Sequence, residues 1–488
     1  MNDFDVIVVG GGNAGLAAAA SAAEFGLRVC LIEKQPELGG QLPWSSAHFS
    51  AAGTALQRRR GIVDHPELHL RDVLAMGHGL ANERLTRIAI EAAAEAVDWL
   101  DAAGFPFAAD APLIVRGHEP YSRPRTYWGG DDPTAGGIPL LRTLIGLVER
   151  ADPPITVMTS TRLTALRIES ASDGTRAVSG VDVANDDGSS SSFTASSVIL
   201  ATGGYAADRE LVAALQPNYA DALTGCLPHA TGDAHRLLMD LGVPMTHGDT
   251  YCPTMGMIED PDRPGFGFHI FETRVIVNPL ERAPWEIWVN DLGERFGDES
   301  AESPFEREEA LRAQPGLAMW VIFDQGILDE APPVLGPRFT AERMRAAVEE
   351  GRIVRSGSTI RELAERIGVP GERLEATIER YNARRTEADD FGRRHRPRSI
   401  ETAPFYAIRV RGGMLLSRGG PIVNDDLHPV DSEGRPLLGC YAVGEILGMG
   451  QFSGDSFAGG MSVGPALSLG RLAAAKAAAR REPDADPR

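Results

Sequence analysis

The chain has 488 residues, too many for one compact core, so two or three domains are expected. Its 43% hydrophobic and 24% charged content suits a globular enzyme, and 48 basic against 68 acidic residues leave a net charge of −20. That field repels phosphate backbones and anionic lipid, which argues against nucleic acid and membrane surfaces as partners. Cys30, Cys226, Cys252 and Cys440 stand far apart with no CxxC pair. Neither a disulfide framework nor a zinc site is expected, and the chain reads as reduced.

The opening run DVIVVG has the continuous apolar character of a buried parallel strand. Val6 to Ala23 carries no charge, but Asp3 and Asp5 precede it and four glycines interrupt it. It therefore reads as strand, turn and small-residue helix rather than as a signal or a membrane span, and a cytoplasmic protein is expected. A helix over about 13–26 and a strand RVCLIE ending at Glu33 complete a βαβ start. Residues 64–104 read as polar and helical, followed by a helix near 140–150. Strand patterns ITVMTS, TALRIES and SGVDVAN come next, then a solvated hairpin tip at 186–192 and a buried strand SSVILATGG. The middle, 235–410, is irregular in pattern, with helices expected around 340–350 and 359–384. From Gly439 the opening style returns: GCYAVGE, a glycine-rich loop and a closing helix.

Gly10, Gly12 and Gly15 form GxGxxG around Asn13 and Ala14, directly after a strand and opening a helix. Gly10 permits the tight turn, Gly12 the approach of a pyrophosphate, and Gly15 close helix–strand packing. The helix N-terminus stabilises phosphate charge. Glu33, 18 residues after Gly15, is placed to accept hydrogen bonds from ribose hydroxyls. This pattern alone does not separate NAD from FAD.

Several further motifs occur in one order. They are Leu38-Gly39-Gly40-Gln41, Ser45–Thr54, Ile199–Gly204 (ILATGG), Thr231-Gly232-Asp233, Asn290–Glu299 (NDLGERFGDE), Tyr441–Glu445 (YAVGE) and Gly459–Arg471. With them the chain resembles the fumarate reductase/succinate dehydrogenase flavoprotein family, in the branch that includes 3-ketosteroid dehydrogenases. The resemblance implies an α/β fold: a Rossmann-like FAD-binding domain made from 1–235 and 411–488, with an α+β capping domain, 236–410, inserted. It implies FAD contacts at the fingerprint residues, at Glu33 and Lys34, at Gly40, Gln41, Ser45, Ser46 and Ala47, and at Arg162. Further contacts are implied at Ala201, Thr202, Gly203 and Asp233, and at Gly444, Glu445, Gly460, Met461, Ser462 and Val463. The closing helix would turn its N-terminus to the flavin, where reduced flavin carries negative charge. Gln41 stands where some relatives carry a flavin-linking His, so non-covalent FAD is expected.

On the substrate side the resemblance weakens. The dicarboxylate clamp of fumarate reductases is replaced by Tyr251-Cys252-Pro253-Thr254, by Ser300-Ala301-Glu302-Ser303, by Leu415 or Leu416, and by Ser456–Phe457. Fumarate is therefore not the expected substrate. The tyrosines of the ketosteroid enzymes have no clear counterparts either. The loop His118–Trp128 is rich in Tyr, Arg, His and Trp and reads as either a site-lining or a surface loop. Tyr121, Tyr127 or Tyr251 is the expected proton-transfer or carbonyl-polarising group, and Arg123 or Arg125 the substrate-orienting one. His229, His247 and His269 read as solvent-facing or hydrogen-bonded, and Arg295 with Glu299 as a structural ion pair. The expected function is dehydrogenation of a carbon–carbon bond beside the carbonyl of a cyclic ketone. A small-molecule substrate and an electron acceptor or donor are its partners. Rival readings are an enoate or enone reductase, a flavin monooxygenase and a non-catalytic flavoprotein.

Overall fold

The computed structural model describes residues 3–115, 119–246, 254–335, 339–383 and 388–481. Its larger sheet has eight strands, and both ends of the chain enter it. Phe4–Val9 pairs in parallel with Val29–Ile32 on one side (Val6 opposite Val29) and with Ser190–Leu200 on the other (Val9 opposite Leu200). The long strand Ser190–Leu200 changes neighbour half-way. Its first half forms the expected hairpin with Arg176–Asn185, and its second half receives Cys440–Ala442 in parallel, Cys440 opposite Val198. Val6, Ile7, Val8, Val198, Ile199 and Leu200 are fully buried. That two-sided burial is why these strands read as unbroken apolar runs.

Helix Asn13–Glu24 is buried nearly all round and packs against the last helix, Val463–Arg480. Small residues allow it: a Cβ on Gly470 would lie 2.5 Å from the Ala14 carbonyl oxygen. The Asn13 side-chain amide also donates to the Val463 carbonyl at 3.0 Å. The two helix N-termini therefore sit side by side above the ends of the parallel strands. The segment expected as one helical region divides into Pro66–Met76, Glu83–Glu91 and Ala93–Ala102.

The middle of the chain is more ordered than its pattern suggests. A second sheet of six strands is built on Phe405–Met414, which pairs antiparallel with Ala318–Asp324, Thr254–Met257 and Val354–Gly357. Trp288, Val321, Phe323 and Ile408 form its core, separate from the core of the first sheet. Helices Pro304–Arg312, Ala341–Glu350 and Ile360–Ile367 start on Ser303, Thr340 and Thr359, each accepting from a backbone N–H of the first turn. The helix expected over 359–384 is broken at Gly368, whose φ of 75° ends it, and resumes at Gly371. Arg295 and Glu299 form the expected ion pair at 2.5 Å, with Asp389 and Arg393 as further partners. No helix among the described residues is long and apolar enough to cross a membrane.

Candidate active site

A cavity of about 620 Å³ runs from the glycine fingerprint at the ends of the parallel strands to the second sheet and its helices. Its floor is the first turn, where Gly10 holds φ at 107° and a Cβ would meet the Ala201 carbonyl oxygen at 2.3 Å. Gly15 does not line the cavity; a Cβ there would lie 1.8 Å from the Gly10 carbonyl oxygen, so it serves packing. Gly12 faces Gly40 of the second glycine loop backbone to backbone, leaving an open slot. Glu33 is fixed by the Gly11 and Gln35 backbone N–H groups, each at 2.7 Å. Lys34 donates to Thr231 and Asp233 at 2.8 and 3.1 Å, and Arg162 reaches Asp233 from outside the wall. Burial depresses the Lys34 ammonium, with Asp233 opposing it.

The wall also takes in Asn13, Ala14, Gln41, Ser45, Ser46 and Ala47, then Thr202 and Gly203, then Gly444, Glu445, Gly460, Ser462 and Val463. Met461 points into the core instead. Gln41 Oε1 accepts from the Leu227 N–H at 3.2 Å. Glu445 accepts from the Ser417 N–H at 2.9 Å, and burial lifts its carboxyl to about 7. Two buried polar atoms in this wall, Asn13 Oδ1 and Thr202 Oγ1, have no partner among the described residues. Orphaned polar atoms beside an open glycine slot and two helix N-termini fit a phosphate-linked dinucleotide. The residues expected to hold FAD are thus brought together, Gly15, Arg162 and Met461 excepted.

The four expected catalytic residues among the described ones lie elsewhere. Tyr121 is buried and donates to the Gly459 carbonyl at 2.6 Å, behind the C-terminal loop. Tyr127 is hydrogen-bonded to Thr54 at 2.6 Å in the short sheet Phe49–Ser50 with Thr126–Tyr127. Burial raises both phenols, and neither lines the cavity. Arg125 is fully buried between Asp64 and Asp72, at 2.9 and 2.8 Å, so its charge is spent on bracing the loop. Arg123 is exposed, and among the described residues it bonds only the carbonyl of its neighbour Ser122. Tyr251 and His118 lie outside the described residues.

The far wall comes from the second sheet and its helices. His269 donates through Nε2 to the Trp44 carbonyl at 3.0 Å and packs on the Trp44 ring, joining the two halves of the cavity. Phe266, Phe271 and Phe457 supply apolar area. Arg263 and Arg274 line the wall but are paired with Asp260 at 2.9 Å and Glu281 at 2.7 Å. Arg307 and Glu308, on helix Pro304–Arg312, are different. Arg307 is buried and donates to the Val277 and Ser303 carbonyls, and burial lowers its pKa. Glu308 beside it is lifted to about 8, mainly by burial. The residue reading missed this pair. The cue was present: a Ser-Pro-x-Glu helix start directly after the NDLGERFGDE segment.

Residues 5–463 match the family described as FAD binding domain. The chain belongs to this family. As an FAD-binding-domain protein it takes FAD as cofactor and stands among flavin-dependent oxidoreductases. It is 30% identical over 480 residues to an NADH:fumarate oxidoreductase of Klebsiella pneumoniae (strain 342), covering 98% of this chain but only 48% of that protein. It is 26% identical over 554 residues to a 4-oxocyclohexanecarboxylate 2-dehydrogenase of Sinomonas cyclohexanicum, covering 96% of this chain and 92% of that protein. The fold is also that of a 3-ketosteroid delta1-dehydrogenase from Sterolibacterium denitrificans, with a TM-score of 0.78, 21% identity and coverage of 98% and 100% of the two chains. Reductases named for fumarate, urocanate and vinyl phenol are further relatives.

Proposed function

We propose that this protein dehydrogenates the carbon–carbon bond beside the carbonyl of a cyclic ketone, which carries at most one carboxylate. The observation behind this reading is the Arg307–Glu308 pair in the far wall. An α-proton next to a ketone is weakly acidic, so its removal needs a base together with stabilisation of the developing enolate. Glu308, as carboxylate, takes the α-proton, and Arg307 donates N–H bonds to the carbonyl oxygen. Arg307 hydrogen-bonds the Ser303 and Val277 carbonyls, while Glu308 and Glu119 act on its charge. Bound FAD supplies the acceptor for the β-hydrogen and its electron pair. The aromatic wall excludes water and holds the ring by apolar contact. In the reductive direction the same carboxyl returns the proton to the α-carbon. A relative named for dehydrogenation of an oxocyclohexane acid supports the ring-ketone class.

The proton role moves here from Tyr121 and Tyr127, whose hydroxyls are committed to Gly459 and Thr54. Tyr251 stays a candidate on its position three residues before the wall residue Thr254. The test is anaerobic mixing of the FAD-loaded protein with 4-oxocyclohexanecarboxylate and unsubstituted cyclohexanone, following flavin bleaching in single turnover. Glu308→Gln is expected to slow bleaching about 10²–10⁴-fold with FAD occupancy unchanged. Rates within a few-fold of the parent for Glu308→Gln, alongside a large loss in Tyr251→Phe, would transfer the role to Tyr251.

A further inference from the structure

The loop 119–128 does not line the cavity, yet the FAD-binding half grips it along its length. The Ser122 N–H and hydroxyl both donate to Asp72, at 2.9 and 2.6 Å, beside the pairs of Arg125 with Asp64 and Asp72. Gln57 donates to the Pro124 carbonyl at 2.9 Å. Tyr121 ties the loop to the Gly459 carbonyl, next to the cavity-wall residue Gly460. From this mount Glu119 extends to the second half, where its carboxylate accepts from the Ser303 hydroxyl at 2.6 Å. Ser303 Oγ in turn accepts from the Glu306 N–H at 3.3 Å and caps helix Pro304–Arg312, which carries Arg307 and Glu308. A second contact from the same side meets that helix: His78, bonded to Asp455 at 2.7 Å, packs its ring on Phe305 at 4.3 Å.

We propose that Glu119 is a positioning residue for the proton step: through Ser303 it fixes the helix of Arg307 and Glu308 against the half that holds the flavin. The inference rests on Glu308 being the proton-transferring group proposed above. One loop thereby holds both sides of the reaction, with Tyr121 on the C-terminal loop of the cavity wall and Glu119 on the helix of Glu308. Dehydrogenation needs the base at the α-carbon while the β-carbon faces the flavin, and a misplacement of about 1 Å can cost on the order of 10²-fold in rate. Glu119 also reaches Glu308 by charge. Burial raises the Glu308 carboxyl most, the Glu119 charge adds to that, and Arg307, the Met255 backbone and Arg418 act against it. Removing the Glu119 charge therefore moves Glu308 ionisation to lower pH.

The test uses the FAD-loaded protein with Glu119→Ala, Glu119→Gln and Ser303→Ala. Hydrogen exchange over residues 305–312 needs no substrate. Glu119→Ala is expected to speed it about 10-fold, the loss of one hydrogen bond to a charged group, and Glu119→Gln, which keeps an acceptor, by less. In a Ser303→Ala background Glu119→Ala should add nothing, because the contact runs through that hydroxyl. Unchanged exchange in Glu119→Ala, or an equal increment in the Ser303→Ala background, overturns the proposal. Flavin bleaching by 4-oxocyclohexanecarboxylate separates positioning from support of the fold. Its half-maximal pH should fall in both Glu119 variants, and its plateau should drop about 10-fold only in Glu119→Ala. A merely structural role lowers FAD occupancy or melting temperature and leaves the half-maximal pH where the parent has it, which overturns the proposal; so does a parent-like plateau in Glu119→Ala. Bleaching by neither ketone, or equal bleaching in the parent and Glu308→Gln, refutes the reading of the reaction instead. The pH window in which Glu308→Gln gains on its parent in thermal midpoint then decides together with exchange. That window should end at lower pH when Glu119→Gln is present in both, and an unmoved window overturns the role of Glu119.

Discussion

Glu308 titrates near ~4.3 in an unfolded chain, and burial in the folded wall lifts it to about 8. Between those values the folded protein holds a proton that the unfolded chain has released. Its raised pKa therefore contributes stability that is fully present at low pH and is lost as pH rises through that window. Glu308→Gln does not titrate, so its thermal midpoint is expected to gain on the parent from about pH 5 to 8 and level off above. A difference that is flat with pH would refute the buried carboxyl. The activity carries the matching sign: a base must be ionised, so flavin reduction by ketone should rise toward a plateau above about pH 8. Residue composition could not reveal this group. The loop at 118–128 attracted attention for its Tyr and Arg content, yet Asp64 and Asp72, far upstream in sequence, claim Arg125. Pairing across such separations leaves no local trace. The Ser-Pro-x-Glu start marks the helix of Arg307 and Glu308, but not the cavity that the helix faces.

At the scale of elements, the flavin half was legible because its local signals agree. Apolar runs, glycine turns and small-residue helices point to the same βαβ geometry, and each has one structural solution. The second sheet was not legible. Phe405–Met414 mixes Arg409 and Arg411 with apolar residues and pairs with several strands distant in sequence, so no periodicity announces it. We propose division at about residues 235 and 410; the two cores themselves part between Val243 and Met255 and again after Val410. Hydrogen exchange with and without FAD should show protection gained mainly in 3–235 and 411–481; protection gained chiefly in 254–383 would contradict this. A sharper test is Gly460, whose φ is 78° and whose Cβ would lie 2.4 Å from Ser50 Oγ and 2.6 Å from Ser50 N. Gly460→Ala should lower FAD occupancy at least several-fold by displacing the C-terminal loop from the cradle. Full occupancy with unchanged melting would mean the loop adjusts freely.

Over the whole molecule, charge and cofactor chemistry decide what can enter. Gln41 is an amide bound to the Leu227 N–H and offers no imidazole for linkage. Acid precipitation is therefore expected to release intact FAD into the supernatant; flavin retained in the pellet would contradict this. Fumarate poses the stricter question, because several relatives are named for it. A dicarboxylate gives up two hydration shells on entry, and only uncompensated cations or multiple donors can repay that. In the described wall Arg263 is paired with Asp260, Arg274 with Glu281, and Lys34 with Asp233. Among the described residues Arg307 forms no ion pair, but the charges of Glu308 and Glu119 already act on it. One carboxylate can be met there and the second cannot, while the net charge of −20 opposes dianions at longer range. Fumarate reduction by the chemically reduced, FAD-loaded protein should accordingly stay far below the ordinary enzyme rate of about 1–10³ per second. Saturable fumarate turnover inside that range would refute both the charge argument and the ring-ketone reading built on it.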